Sequence, residues 1–271
     1  VNILVIFPHP DDAALNAGGT LARWASEGHK ITAICCTSGN VGTLRRDQTA
    51  AEVGAARSAE LHAAHTLLGI EETHILNFPD GGVLDFQTLR AALVRCVRQY
   101  KPDRVVTMDP WARYEVHSDH TTVGRAAGEA AAFACFPLLY SDQLDSGLCP
   151  HHAREVWYMG LLGDRPNMYV NIGDHLDRKI DAVLKFEVSL AILDGLFQAE
   201  ATPSGEAAMA TIKSRAHEWM GGLARRMGKP VGLPAAEAFL TQPCAPGHFD
   251  NMSKLYAQML GEPETEPVVH L

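Results

Sequence analysis

Two short clusters in this chain combine histidine with carboxylate at spacings that suit metal chemistry: Pro8-His9-Pro10-Asp11-Asp12 and His117-Ser118-Asp119-His120. Adjacent carboxylates such as Asp11 and Asp12 repel one another unless a cation or a helix N-terminus takes up the charge. Taken alone, one of the pair could simply cap a helix. In the second cluster His117 and His120 lie three apart, so a helix beginning there would turn both toward one cleft. Taken alone, they could equally be capping or surface residues. Together the clusters offer two histidines and a carboxylate with a position left open for water, which is a catalytic rather than a structural zinc arrangement. Iron or cobalt would suit the same donors.

Such chemistry needs elements that bring two distant segments together. Short β-branched runs alternate with helix-like stretches through the first half, which predicts an α/β fold: a Rossmann-like, mostly parallel sheet flanked by helices, with a C-terminal strand and helix extension. Strands are expected over residues 3–7, 31–37, 74–78 and 104–108. Helices are expected over 13–27, 45–68, 86–100 and 121–133, with Gly28 and Gly69 as C-terminal stops. Further on, strands over 155–161 and 168–172 and helices over 176–196 and 206–226 are expected. Both clusters follow strands, the first and the fourth. Ligands of open parallel sheets bind beyond the carboxyl ends of strands where the order reverses, so the two clusters are expected to converge there. The chain reads as one domain over 1–271, with a core to about residue 135, an extension to about 260 and a frayed tail over 261–271.

Composition narrows the partners. With 46% hydrophobic and 20% charged residues the chain has an ordinary globular balance. Its net charge of −9 opposes nucleic acid or an anionic membrane as the main partner and favours a neutral or cationic small substrate. No apolar run approaches the ~20 residues of a membrane span, and the opening residues do not read as a secretory leader, so a cytoplasmic location is expected. Six cysteines without a CxxC pair read as reduced, mostly buried thiols.

The two motifs resemble those of the LmbE/PIG-L family of zinc-dependent N-acetylglucosaminyl deacetylases. The resemblance runs from about residue 3 to residue 185 and takes in Arg57-Ser58-Ala59-Glu60, Leu67-Leu68-Gly69 and Pro79-Asp80-Gly81. Asp109-Pro110-Trp111, Tyr114-Glu115, Gly147-Leu148 and Tyr169-Val170 are similar to the diacetylchitobiose deacetylase branch. The resemblance implies one zinc per chain on His9, Asp12 and His120, with Asp11 as general base and His117 stabilising the oxyanion. It also implies that Asp119 orients His117 and keeps it protonated, and that Arg57 and Asp80 touch the sugar or shape its pocket. Trp111 and Tyr114 precede the second motif and offer a face to a pyranose ring, or else pack the loop. The chain departs from the pattern at Ala13, at Ser118 and at Glu187-Val188-Ser189-Leu190.

The expected reaction is hydrolysis of the acetamide of an N-acetylglucosamine-containing small molecule or glycoconjugate, by a homo-oligomer, releasing acetate and a free amine. A metal-dependent hydrolase acting on another bond, such as a phosphoester, is disfavoured: Gly18-Gly19 does not form a phosphate-cradling GxGxxG loop. A non-catalytic sugar-binding relative would need neither Asp11 nor His117.

Overall fold

The computed structural model describes residues 1–82, 85–113, 115–160, 166–197, 206–244 and 268–270. Strand β1 (Asn2–Phe7) is followed by α1 (Asp12–Ser26), β2 (Lys30–Thr37), α2 (Ala50–Leu68), β3 (Glu72–Phe78), α3 (Phe86–Tyr100), β4 (Arg104–Met108) and α4 (Ser118–Phe133). These are the alternating elements expected of the first half. Beyond them come the short α5 (Asp142–Asp145), β5 (Glu155–Met159), β6 (Met168–Asn171), α6 (Leu176–Val183), α7 (Glu187–Phe197), α8 (Glu206–Gly228), β7 (Ala236–Pro243) and β8 (Val268–His270).

All eight described strands join one sheet in the order β3-β2-β1-β4-β5-β7-β6-β8. β1 pairs in parallel with β2 on one side and with β4 on the other, so the order reverses between β1 and β4. That is the switch point at which the two clusters were expected to meet. The strand β1 is buried on both faces: Ile3, Val5 and Phe7 enter one core with α1, α2 and α6, while Leu4 and Ile6 enter a second with α3 and α4. A continuous apolar run is what a strand covered on both faces requires.

Four boundaries differ from expectation. Helix α2 begins at Ala50 rather than residue 45, because Thr49 accepts the Glu52 amide while the Glu52 carboxylate accepts the Thr49 amide. This reciprocal capping box stops the helix from extending backwards. The single helix expected over 176–196 is broken between Val183 and Glu187 into α6 and α7. Strand β7, antiparallel to both β5 and β6, was not expected. Within the tail expected to fray, residues 268–270 form β8 and pair in parallel with β6; residues 261–267 and 271 lie outside the described residues. The cysteines are free thiols, with Cys35, Cys36, Cys96 and Cys244 buried.

Candidate metal centre

Both clusters leave their strands at the carboxyl edge of the sheet. Pro8 holds the end of β1 against β2: its carbonyl accepts from the amide and the hydroxyl of Thr37. The chain then turns, with the Asp12 amide donating to the His9 carbonyl at 3.2 Å and the His9 amide donating to Asp12 Oδ2 at 2.8 Å. This local exchange starts α1 and buries His9 and Asp12 side by side. On the other side of the switch point, α4 packs hard on β4, since Gly124 lies directly against the Met108 carbonyl, where a Cβ has no room. His117 caps α4 with its ring, Nδ1 accepting from the Asp119 amide at 3.3 Å, and His120 follows in the first turn.

The outcome is a compact donor set. His9 Nδ1 lies 3.2 Å from Asp12 Oδ2 and 3.3 Å from His120 Nε2, and His120 Nε2 lies 3.4 Å from Asp12 Oδ1. Ligands about 2.0–2.1 Å from a tetrahedral zinc stand roughly 3.3 Å apart, and the two histidine nitrogens keep that spacing from each other, each with one oxygen of the Asp12 carboxylate at a similar distance. His117 is also in reach: its ligating nitrogen and those of His9 and His120 all lie within 4.8 Å of one another. His9, Asp80 and Asp119 meet the same limit on the other side of the His9 ring. The His9-Asp12-His120 set combines two imidazoles with the anion that a divalent ion favours.

The electrostatics suit a cation. Burial would depress the His9 imidazole, but the Asp119, Asp12 and Asp80 carboxylates around it override burial and hold its pKa far above the ordinary value. Asp12 is held below the usual carboxylate range despite complete burial, by His120 and His9. The protein surrounds this point with negative charge, and a metal ion and a proton compete for it.

The carboxylates are distributed differently from expectation. Asp119 does not face His117: its Oδ2 lies 3.3 Å from His9 Nε2 and accepts the Gly81 amide at 3.1 Å. Burial, followed by the neighbouring His9 and His120, lowers the pKa of His117. With Nδ1 occupied by an incoming amide, its ring proton sits on Nε2. His117 is thus held through the backbone amide of Asp119, whose carboxylate turns to His9. Asp80 likewise engages His9, with Oδ1 3.2 Å from His9 Nε2 and Oδ2 accepting the Val41 amide at 2.9 Å, so it braces His9 and the loop after β2.

Arg57 is buried, and its guanidinium is shared among Asp11 Oδ1 at 2.8 Å, the Gly39 carbonyl at 3.0 Å and Ser189 Oγ at 3.2 Å. It therefore fixes Asp11 and joins α2, α7 and the loop after β2. Glu60, one turn further along α2, accepts the Val188 amide, and burial pushes its carboxyl up to about 7. Trp111 is 61% exposed and packs edge-on against Tyr158 with ring centres 5.2 Å apart, leaving a face at the rim. Tyr114, the other aromatic singled out, lies outside the described residues. One site residue went unassigned in the sequence: Glu115, whose Oε2 lies 2.9 Å from His120 Nδ1 and whose Oε1 accepts the His117 amide at 2.8 Å.

The model of the PIG-L family, described as GlcNAc-PI de-N-acetylase, matches residues 4–131. Diacetylchitobiose deacetylase of Thermococcus kodakarensis is 32% identical over 185 residues, 68% of each chain. A 1D-myo-inositol 2-acetamido-2-deoxy-alpha-D-glucopyranoside deacetylase of Rhodococcus erythropolis is 34% identical over 163 residues, and the match spans 50% of this chain and 55% of that protein. Among solved structures, N,N'-diacetylchitobiose deacetylase of Pyrococcus horikoshii superposes with a TM-score of 0.78 at 27% identity, covering 90% of this chain and 84% of that one.

Proposed function

The chain belongs to the PIG-L family of de-N-acetylases, and on that premise we propose that it hydrolyses the acetamide of an N-acetylglucosamine-containing small molecule or glycoconjugate, with one zinc ion per chain held by His9, Asp12 and His120. The carrying observation is the donor set itself: His9 Nδ1 and His120 Nε2 lie 3.3 Å apart, each within 3.4 Å of one oxygen of the Asp12 carboxylate. The deacetylases it resembles are named for substrates that share an acetamido sugar and differ in what is attached to it. The acetamide is therefore the common chemistry, and a diacetylchitobiose-type oligosaccharide is the first substrate to test.

A zinc ion held there supplies Lewis acidity, acidifying water and polarising the acetamide carbonyl. The chain's own residues divide the remaining work. Asp11 sits beside the ligand Asp12 but outside the donor set. Arg57 engages its Oδ1, and Oδ2 takes no hydrogen bond among the described residues, so that oxygen is placed to accept the proton of the attacking water. His117, with its proton on Nε2, donates to the oxyanion of the tetrahedral intermediate. Asp11 then returns its proton to the departing amine, so water is consumed and acetate and a free amine are released. Trp111 offers its exposed face to the sugar. Homo-oligomeric assembly and a cytoplasmic location complete the proposal. No helix among the described residues is long and apolar enough to cross a membrane.

The test is acetate release from a panel of N-acetylglucosamine conjugates led by N,N'-diacetylchitobiose, using wild type, chelator-stripped protein and stripped protein with zinc restored. Release that disappears on stripping and returns with zinc supports the reading. Stoichiometric zinc without acetate from any conjugate would sink the deacetylase assignment while leaving the metal site standing.

A further inference from the structure

The two histidines of the donor set present opposite ring nitrogens: His9 offers Nδ1 and His120 offers Nε2. A metal ligand must present a lone pair, so each ring needs its own proton on the other nitrogen, and that nitrogen needs an acceptor to keep the tautomer and the ring angle fixed. For His9 the acceptors are Asp80 and Asp119, both on Nε2. For His120, Nδ1 meets Glu115 Oε2 at 2.9 Å.

We propose that Glu115 is a positioning residue for His120, holding the proton on Nδ1 so that Nε2 is aimed at the metal position between His9 and Asp12. The inference rests on the metal-site reading above. It does not follow from a loose surface ion pair, because both side chains are largely shielded and the carboxylate cannot swing. The Glu115 Oε1 accepts the His117 amide at 2.8 Å, and the Glu115 amide donates to the Ala112 carbonyl at 3.2 Å. Capping does not account for it either, since His117 itself caps α4 through its ring. One carboxylate thus ties the ring of a ligand to the backbone of His117, so that His117 Nε2 and His120 Nε2 keep a fixed relation across the site.

Zinc affinity by chelator competition, with nitrogen NMR of 15N-histidine-labelled, zinc-loaded protein, tests this on wild type, Glu115→Gln and Glu115→Ala. In wild type a slowly exchanging Nδ1–H of His120 is expected beside a metal-bound Nε2. Loss of the outer carboxylate in Glu115→Ala should weaken zinc binding by about 10- to 100-fold and abolish the protected Nδ1–H signal. The Gln amide oxygen can still accept from Nδ1, so Glu115→Gln should keep the tautomer and recover part of the affinity. A purely structural role would not produce that recovery together with a tautomer-specific signal. Should Glu115→Ala fail to fold, Glu115→Gln decides: affinity equal to wild type overturns the inference. Glu115→Ala with wild-type affinity and an unchanged His120 tautomer also overturns it. A wild type that takes up no zinc overturns instead the metal-site reading beneath it.

Discussion

Asp11 and Asp12 are neighbours in the chain yet face different partners. Asp12 is buried against His9 and His120, whereas Asp11 turns to Arg57 at the end of the same tight turn. Removing the Asp11 charge therefore leaves the donor set whole. Asp11→Asn is expected to bind zinc with wild-type stoichiometry, measured by metal analysis, while acetate release falls by at least ~100-fold, the scale of a lost general base. Zinc loss in that variant would place Asp11 among the ligands and end the assignment. His117→Ala removes the Nε2 donor and is expected to lower kcat by about 10²–10³ with zinc retained. Zinc loss would instead favour the three-histidine set that the geometry also permits. At this scale the sequence was legible where residue types are chemically narrow: His-Pro-Asp-Asp and His-x-Asp-His name their own chemistry. It was silent on which carboxylate serves which histidine. Asp119 lies two residues from His117 but meets His9, 110 residues away, and Glu115 stands in an irregular segment whose path no periodicity predicts.

The elements carry the residues to within these distances by close packing rather than by strong local propensity. Helix α4 approaches β4 because Gly124 has no side chain to hold it off the Met108 carbonyl. Gly124→Ala is expected to push the first turn of α4 outward and weaken zinc binding along with thermal stability, although it touches no ligand; chelator competition and a thermal melt would show both. Helix α2 carries a second consequence through His65, which packs edge-on to Phe7 and shares a hydrogen bond with Thr73 Oγ1 at 2.8 Å. Burial depresses its pKa to about 3. The unfolded chain, with an ordinary imidazole, binds that proton at higher pH than the native state does. Wild type must then lose stability relative to His65→Gln as the pH falls from about 6.5 toward 3, by at most ~1.4 kcal/mol per pH unit. Denaturant melts of both proteins at pH 7.5 and 5 measure the difference; a gap independent of pH would mean His65 is accessible to protons in the fold. The strands of the first half were readable as short apolar runs and the helices as longer Ala-rich or amphipathic stretches, with Gly28 and Gly69 following α1 and α2. The start of α2 was misplaced because the capping box at Thr49 is a local stop that outranks the helix-compatible Arg45-Arg46-Asp47-Gln48 before it.

Across the whole molecule, a buried ion pair ties the second half to the helix that begins at the site. Glu237 in β7 accepts the amides of Gly19 and Thr20, in the middle of α1, at 3.0 and 2.7 Å, and the Lys179 ammonium of α6 at 2.6 Å. All this lies in the interior, with Lys179 and Glu237 almost fully covered. Strand β7 was missed because Ala-Glu-Ala-Phe-Leu has the composition of a helix, and its extended form comes from pairing with β5 and β6 on either side. The same pairing sets Glu237 under α1, whose N-terminal end carries Asp11 and Asp12. A residue of the C-terminal extension thus contacts α1 from more than 200 positions later in the chain. Glu237→Ala leaves an ammonium buried without its partner and should destabilise the protein by ~3–5 kcal/mol. A double replacement of Lys179 and Glu237 by Met and Leu removes the stranded charge and should recover much of that loss. If the buried pair joins the two halves as described, wild type should lose tryptophan fluorescence, from Trp24 in α1 and Trp157 in β5, in the same thermal transition that releases zinc. Glu237→Ala should shift that transition to lower temperature without splitting it. A variant that released zinc first and lost the β5 signal many degrees later would show instead that the site and the C-terminal half fold independently.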